Sequence, residues 1–217
     1  MRAIVLLSGG MDSLVTAAIA HKECSELYFL HFSYGQRTQE RELKAFWDIS
    51  RRYEAKDARV IDYQWLAEIK GSSLTDSSLE IKEGAQGIPN SYVPFRNATM
   101  LCAATAWAEV LKADAIYIGA VQEDSSGYPD CRESFFDAFE RVIKEGTVDS
   151  NLKIKCPVIH MSKAEIVAQG LAMDAPFELS WSCYTASDLA CGECPSCRLR
   201  LAAFAKAGSI DPIKYKG

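Results

Sequence analysis

The run Ala3-Ile4-Val5-Leu6-Leu7 passes without a break into Ser8-Gly9-Gly10-Met11-Asp12-Ser13, and a helical pattern then carries from Ser13 to about Lys22. Few folds accept that succession. A short, β-branched and leucine-rich run bounded by Ser-Gly-Gly predicts a strand buried on both faces. The run is too short to cross a bilayer. A signal peptide would show a longer apolar core and a small-residue cleavage site, with no aspartate in the middle. The stretch is therefore read as part of the mature fold.

The same rhythm repeats. "ELYFLHFS" predicts a second strand ending near Phe32, and residues 38–55 predict an amphipathic helix with Leu43, Phe46, Trp47 and Ile49–Ser50 on its apolar side. "ARVIDY" predicts a third strand. This β-α-β-α-β order implies a parallel sheet with helices on both faces. Residues 71–95 interrupt it with Ser, Gly, Pro and Asn, which predicts a long loop or lid; loops of that length are often functional. Residues 97–113 are apolar almost all round and predict a buried helix capped by Asn97. "AIYIGA" predicts a fourth strand. Residues 132–145 predict an amphipathic helix through Phe135, Phe136, Phe139, Val142 and Ile143. "LKIKCPVI" predicts a fifth strand, and a further helix starts after a Ser162 cap. The expected class is α/β: a Rossmann-like open parallel sheet over residues 1–173, with a small cysteine-rich annex over 174–217 packed on the same domain.

Composition agrees. The 217 residues are 48% apolar and 24% charged, enough for one large core with an annex. The net charge of −5 disfavours a dedicated nucleic-acid binder, although a local basic groove stays open. Four of the eight cysteines are scattered, at Cys24, Cys102, Cys131 and Cys156. The other four are spaced Cys183-x7-Cys191-x2-Cys194-x2-Cys197. Cys-x-x-Cys closes two thiolates on one ion, and Gly192 and Pro195 suit the tight turns between them. Four thiolates complete a closed, structural tetrahedral zinc site; an iron–sulfur cluster or no metal are the alternatives. Clustered cysteines without an export signal point to a reducing, cytoplasmic setting. Trp181 and Tyr184 flank the first cysteine and read as local packing.

In an open parallel sheet, ligands sit beyond the carboxyl ends of the strands. Gly9 and Gly10 lie there, where backbone amides and a helix N-terminus can face an anion. A tight turn with an Asp12 or Ser13 cap is the plain alternative. "FSYGQR", "YVPFRN", "QEDSSGYPDCR" and "HMSK" also fall at strand ends or at the lid. Together they place Arg37, Arg96, Asp124, Asp130, Arg132 and Lys163 toward one edge, as a polyphosphate with Mg²⁺ and an acidic substrate would require. His21, His31 and His160 are too scattered for a metal triad.

The loop lacks the Walker A pattern and G-x-G-x-x-G, but Ser8-Gly9-Gly10-x-Asp12-Ser13 resembles the loop of the ATP pyrophosphatases, which cleave ATP between the α and β phosphates. "SGGMDS", "YGQR", "VPFRN", "EDSSGYPDCR", "SKAE" and the four-cysteine tail together resemble the 7-cyano-7-deazaguanine synthases, the QueC family of queuosine precursor synthesis. Family members often carry glycine where this chain has Phe95, which bears on local lid geometry.

The resemblance implies conversion of 7-carboxy-7-deazaguanine and ammonia to the nitrile with two ATP. Leu7, Ser8, Gly9, Gly10, Met11, Asp12, Ser13, Leu14, Val15, Thr16 and Ala17 would form the nucleotide stretch, with Ser8, Gly9, Gly10, Asp12 and Ser13 on pyrophosphate and its Mg²⁺. Asp12, Lys163, Arg96 and Arg132 would be catalytic, Lys163 near the α phosphate. Arg37, Arg96, Asn97, Asp124, Tyr128, Asp130 and Arg132 would hold substrate, with Tyr128 either stacking on the base or packed in the core. Cys131 reads as a buried small hydrophobe rather than a covalent catalyst, and His160 as a candidate proton shuttle. Cys183, Cys191, Cys194 and Cys197 would bind one structural Zn²⁺. Partners would be small molecules, with no nucleic acid or membrane, and a homodimer is left open. A tRNA-thiolating relative, another amidating ligase of this superfamily and a non-catalytic nucleotide-binding module are the competing readings.

Overall fold

A computed structural model describes residues 1–81, 88–122, 128–148 and 151–216. Its centre is a five-stranded, all-parallel sheet of order β3-β2-β1-β4-β5. The strands are β1 (Arg2–Leu6), β2 (Glu26–Ser33), β3 (Asp57–Asp62), β4 (Ala115–Ile118) and β5 (Lys153–Lys155). Among the described residues, seven α-helices accompany them: α1 (Met11–Glu23), α2 (Gln39–Arg52), α3 (Trp65–Ile69), α4 (Arg96–Leu111), α5 (Glu133–Gly146), α6 (Lys163–Leu171) and α7 (Pro195–Lys206).

Alternation along β1 divides the core. Ala3 and Val5 face a cluster with Phe29 and Tyr117 of β2 and β4 and with Leu14, Phe46, Ile166 and Phe204 of α1, α2, α6 and α7. Ile4 and Leu6 face the other cluster, with Leu30 and Ile118 of β2 and β4 and Leu101, Trp107, Phe136 and Phe139 of α4 and α5. Each such fully buried side chain contributes about 1.5–3 kcal/mol. Because β1 has β2 on one side and β4 on the other, the chain reverses its winding there, and the loops after β1 and β4 open a crevice at the strand ends.

Several expectations are corrected. β5 stops at Lys155 instead of running to Ile159, because Pro157 lacks an amide for the ladder and the chain turns, with Ile159 N–H donating to Cys156 O at 3.1 Å. Val142 of α5 is exposed, whereas Phe136, Phe139 and Ile143 are buried. Trp47 lies at the rim of α2 with its ring edge-on to Phe46.

Asn97 does not cap α4. It lies inside the first turn, and its amide donates to Asp130 O (2.8 Å) and Cys131 Sγ (3.3 Å). Its backbone N–H is satisfied by the Asp130 carboxylate at 2.9 Å, so the cap comes from the 129–131 turn. Ser162 does cap α6, in a full capping box with Glu165.

Helix α7 carries no recognisable apolar stripe because its buried face is Cys197, Arg200, Ala203 and Phe204 while Leu199 and Leu201 are exposed. The Arg200 guanidinium forms a bidentate pair with Asp211 (2.7 and 2.9 Å) and also donates to Ser180 Oγ (2.8 Å) and Phe177 O (3.1 Å). Tyr215 donates to the same carboxylate at 2.5 Å. A buried pair that is this fully hydrogen-bonded gains specificity, and removing one partner typically costs about 3–5 kcal/mol.

Phe95, at the N-cap of α4, has φ +56°, in the left-handed region that suits glycine. Its ring is exposed and meets the Phe135 ring edge-on. Phe95→Gly is therefore expected to leave the urea-unfolding midpoint unchanged or raised, while the β-branched Phe95→Val should cost about 1–2 kcal/mol.

Candidate active site and metal centre

The loop after β1 is shaped by close approach. Gly9 has φ +93°, and a Cβ there would lie 2.9 Å from Glu42 O and 3.0 Å from the Ala45 methyl of α2. Gly119, just after β4, touches α1: a Cβ would fall 2.9 Å from Asp12 C and O and from Ser13 N. Helix α1 thus starts at the crevice, with Gly10 as N-cap and no side chain capping it. The first amides of a helix have no partner within it, an arrangement that suits an anion. Ser8 Oγ lies 3.0 Å from Ser13 Oγ and accepts from Gly10 N–H at 3.2 Å.

Lys163, the first residue of α6, donates from Nζ to Asp12 Oδ2 at 2.8 Å. The other carboxylate oxygen, Asp12 Oδ1, is buried and finds no donor among the described residues. A buried carboxylate oxygen without a donor, beside a bare helix N-terminus, fits a divalent cation carried by a polyphosphate. Leu14, Val15 and Ala17 point into the core, and Thr16 is wholly buried.

Arg96 lies across the crevice. Its Nη1 donates to the Tyr34 hydroxyl at 2.8 Å, and its guanidinium sits 5.3 Å from the Tyr34 ring centre. Glu42 faces the same space, accepting from Thr38 Oγ1 (2.9 Å) and Gln36 Nε2 (3.2 Å). Burial pushes its carboxyl above the usual range, against those hydrogen bonds and the Arg96 charge. Tyr128 meets Ser91 Oγ at 2.6 Å and stacks obliquely on Tyr92. Asp130 is buried and holds the start of α4.

Arg37 is exposed, and its guanidinium is committed to the carbonyls of Ser73, Asp76 and Leu79, tying the start of the lid segment to the end of β2. Arg132 is exposed at the N-cap of α5. His160 pairs with Glu133 at 3.2 Å. Burial pushes the Cys131 thiol up to about 11, with Asp130 adding to the effect, as suits an inert packed thiol. Asp124 lies outside the described residues.

The sulfurs of Cys183, Cys191, Cys194 and Cys197 all lie within 4.8 Å of one another. Cys191 and Cys197 Sγ are 3.9 Å apart. A tetrahedron with metal–sulfur bonds of about 2.3 Å has edges of about 3.8 Å, so the four thiols fit one ion. Amides of Glu193 and Cys194 point at Cys191 Sγ (3.4 and 3.2 Å), and that of Cys191 at Cys183 Sγ (3.4 Å), as thiolate ligands require. Trp181, Ala190, Ile213 and Ala45 of α2 pack around them.

A family model described as queuosine biosynthesis protein QueC matches residues 2–208. The chain belongs to the QueC family. Proteins named 7-cyano-7-deazaguanine synthase are similar throughout: that of Chlorobium phaeobacteroides is 56% identical, and that of Chlorobaculum tepidum 52%, each alignment covering 100% of this chain and 97% of the relative. Among solved structures, a 4-thiouridine synthetase–RNA complex with bound ATP superposes with a TM-score of 0.51 at 17% identity, covering 99% of this chain and 47% of that one. That likeness concerns the fold alone.

Against this QueC frame, the sequence motifs come together at one end of the sheet: the Ser8–Ser13 loop, Lys163, Arg96 and the Asn97–Asp130–Cys131 knot. Tyr34, Gln36 and Glu42 escaped notice, although "SYGQR" places Tyr34 and Gln36 at the end of β2. Glu42 looks like a surface residue of an amphipathic helix, and only the fold turns it inward.

One metal ion per chain is expected by elemental analysis. Cys194→Ser should reduce it well below one and loosen residues 181–197, because an all-sulfur metal site of this kind contributes much of the folding free energy of the segment it closes.

Proposed function

We propose that the chain converts 7-carboxy-7-deazaguanine and ammonia to 7-cyano-7-deazaguanine at the expense of two ATP. Identity above 50% over full length to proteins of that name carries the reading, together with the intact anion loop at the switch point. A carboxylate is a poor electrophile because oxide would have to leave. Attack of its oxygen on the α phosphorus forms an acyl adenylate and releases pyrophosphate. Ammonia displaces AMP to give the amide. The amide oxygen takes a second AMP group with release of another pyrophosphate, and loss of that AMP and the nitrogen protons leaves the nitrile.

The chain's own part is to position groups and balance charge. Ser8, Gly9, Gly10 and Ser13 hold the departing pyrophosphate, with the amides of α1. Asp12 holds Lys163, whose ammonium sits where charge grows at the α phosphate, and its unpartnered oxygen is the candidate ligand for Mg²⁺. Arg96 offers a planar fork to the substrate carboxylate, which lysine does not reproduce. Arg132 stands at the mouth for a phosphate or the carboxylate, and Tyr128 offers a ring face to the heterocycle. Asn97 and Asp130 shape that wall from behind, and Arg37 keeps the lid segment in place.

We assign zinc to the four cysteines, since a closed all-sulfur site lacks the open position that catalysis needs. Eight cysteines with no disulfide among them are consistent with a reducing, cytoplasmic setting, and no described helix is long and apolar enough to cross a membrane. Small molecules are the partners; the net charge of −5 gives a tRNA substrate no support.

Incubation with ATP, ammonia and 7-carboxy-7-deazaguanine is expected to yield AMP and pyrophosphate, about two of each per nitrile. Release of ADP and phosphate instead would refute the reading. Asp12→Asn should lower kcat by about 100-fold or more while the far-ultraviolet spectrum stays unchanged.

A further inference from the structure

The cysteine centre lies against the phosphate loop. Trp181, two residues before the first cysteine, donates its backbone N–H to Gly9 O at 2.8 Å. In a trans peptide the carbonyl and the following amide point in opposite directions. Holding Gly9 O toward Trp181 therefore turns the Gly10 N–H the other way, toward Ser8 Oγ at 3.2 Å and the mouth of the anion site. Trp181 is itself fixed. Its ring is buried, its indole N–H donates to Ala186 O at 3.1 Å, and the Arg41 guanidinium covers its face at 4.4 Å.

A second strut runs from the same segment. Thr38, at the N-cap of α2, shares its hydroxyl proton between Glu42 Oε1 and Cys183 O, the latter at 3.2 Å. Helix α2 is also the element that presses on Gly9 through Glu42 O and Ala45, and Ala45 packs with the cysteines. Gly9 is thus gripped from both sides by elements that meet at Cys183.

We propose that the cysteine centre positions the nucleotide site: through Trp181 and Thr38 it holds the Gly9–Gly10 peptide in the orientation that presents loop amides to pyrophosphate. This rests on the reading of the loop as the nucleotide site. Gly9 gains access to many conformations once released, so cutting a strut lowers the fraction of molecules with a competent loop, and apparent ATP affinity falls by that fraction. The heterocycle, held by Arg96 and the lid side, is not affected. Thr38 and Trp181 are positioning residues and touch no reacting atom.

Calorimetric titration of ATP and of 7-carboxy-7-deazaguanine against wild type, Thr38→Val and Thr38→Ser tests this, with metal content measured on each sample. Thr38→Val should keep its metal and bind ATP five- to tenfold more weakly, with heterocycle affinity within twofold. Thr38→Ser should restore ATP binding. Unchanged ATP affinity in metal-replete Thr38→Val overturns the proposal. Should that variant shed its metal or fail to fold, stepwise chelation of wild type, with metal content and ATP affinity measured at each step, decides instead. ATP affinity falling in step with metal loss supports the proposal; affinity unchanged after metal loss overturns it. A wild type that binds no ATP refutes the functional reading and the inference together, whereas the other negative results refute the inference alone.

Discussion

The contact at Gly9, where Glu42 O and the Ala45 methyl leave no room for a Cβ, is the constraint from which the rest of the site is built. Because α2 can come that close, the loop after β1 is pressed flat across the strand ends and α1 begins immediately at the crevice. Gly119 repeats the device on the other side, letting the first turn of α1 rest on the end of β4. Two absent side chains thereby put a bare helix N-terminus at the switch point of a parallel sheet, where its partial positive charge and open amides suit a departing pyrophosphate.

Charges around that point are partly paired. Asp12 engages Lys163 with one oxygen, and among the described residues the other finds no donor, while Arg96 donates to the Tyr34 hydroxyl. The buried Arg200–Asp211 pair serves a different end: it is closed on itself, and it ties α7, the 177–182 stretch and the chain's last residues into one block beside the cysteines.

Much of this was legible in the residues. Apolar runs of strand length, alternating with amphipathic helices, located every strand of the sheet, and the spacing of the cysteines anticipated their convergence. What escaped follows from contacts that join distant residues. Helix α7 hides because Arg200 occupies a core position, and no periodicity reveals that Asp211 waits for it. Asn97 stands where a cap is expected, yet the carboxylate that caps α4 comes from Asp130, 33 residues on. The short helix α3 and the early end of β5 depend on a single turn and a single proline. Trp181 and Thr38 read as packing and a helix start, because their bonds to Gly9 and Cys183 span more than 140 residues.

The central claim is that the substrate's own carboxylate oxygens are removed by transfer to AMP. The most direct test uses 7-carboxy-7-deazaguanine labelled with ¹⁸O in both carboxylate positions, followed by mass spectrometry of the nucleotide products. One ¹⁸O in each of the two AMP molecules formed per nitrile is the expected result. Unlabelled AMP, or label found only in inorganic phosphate, would contradict the account.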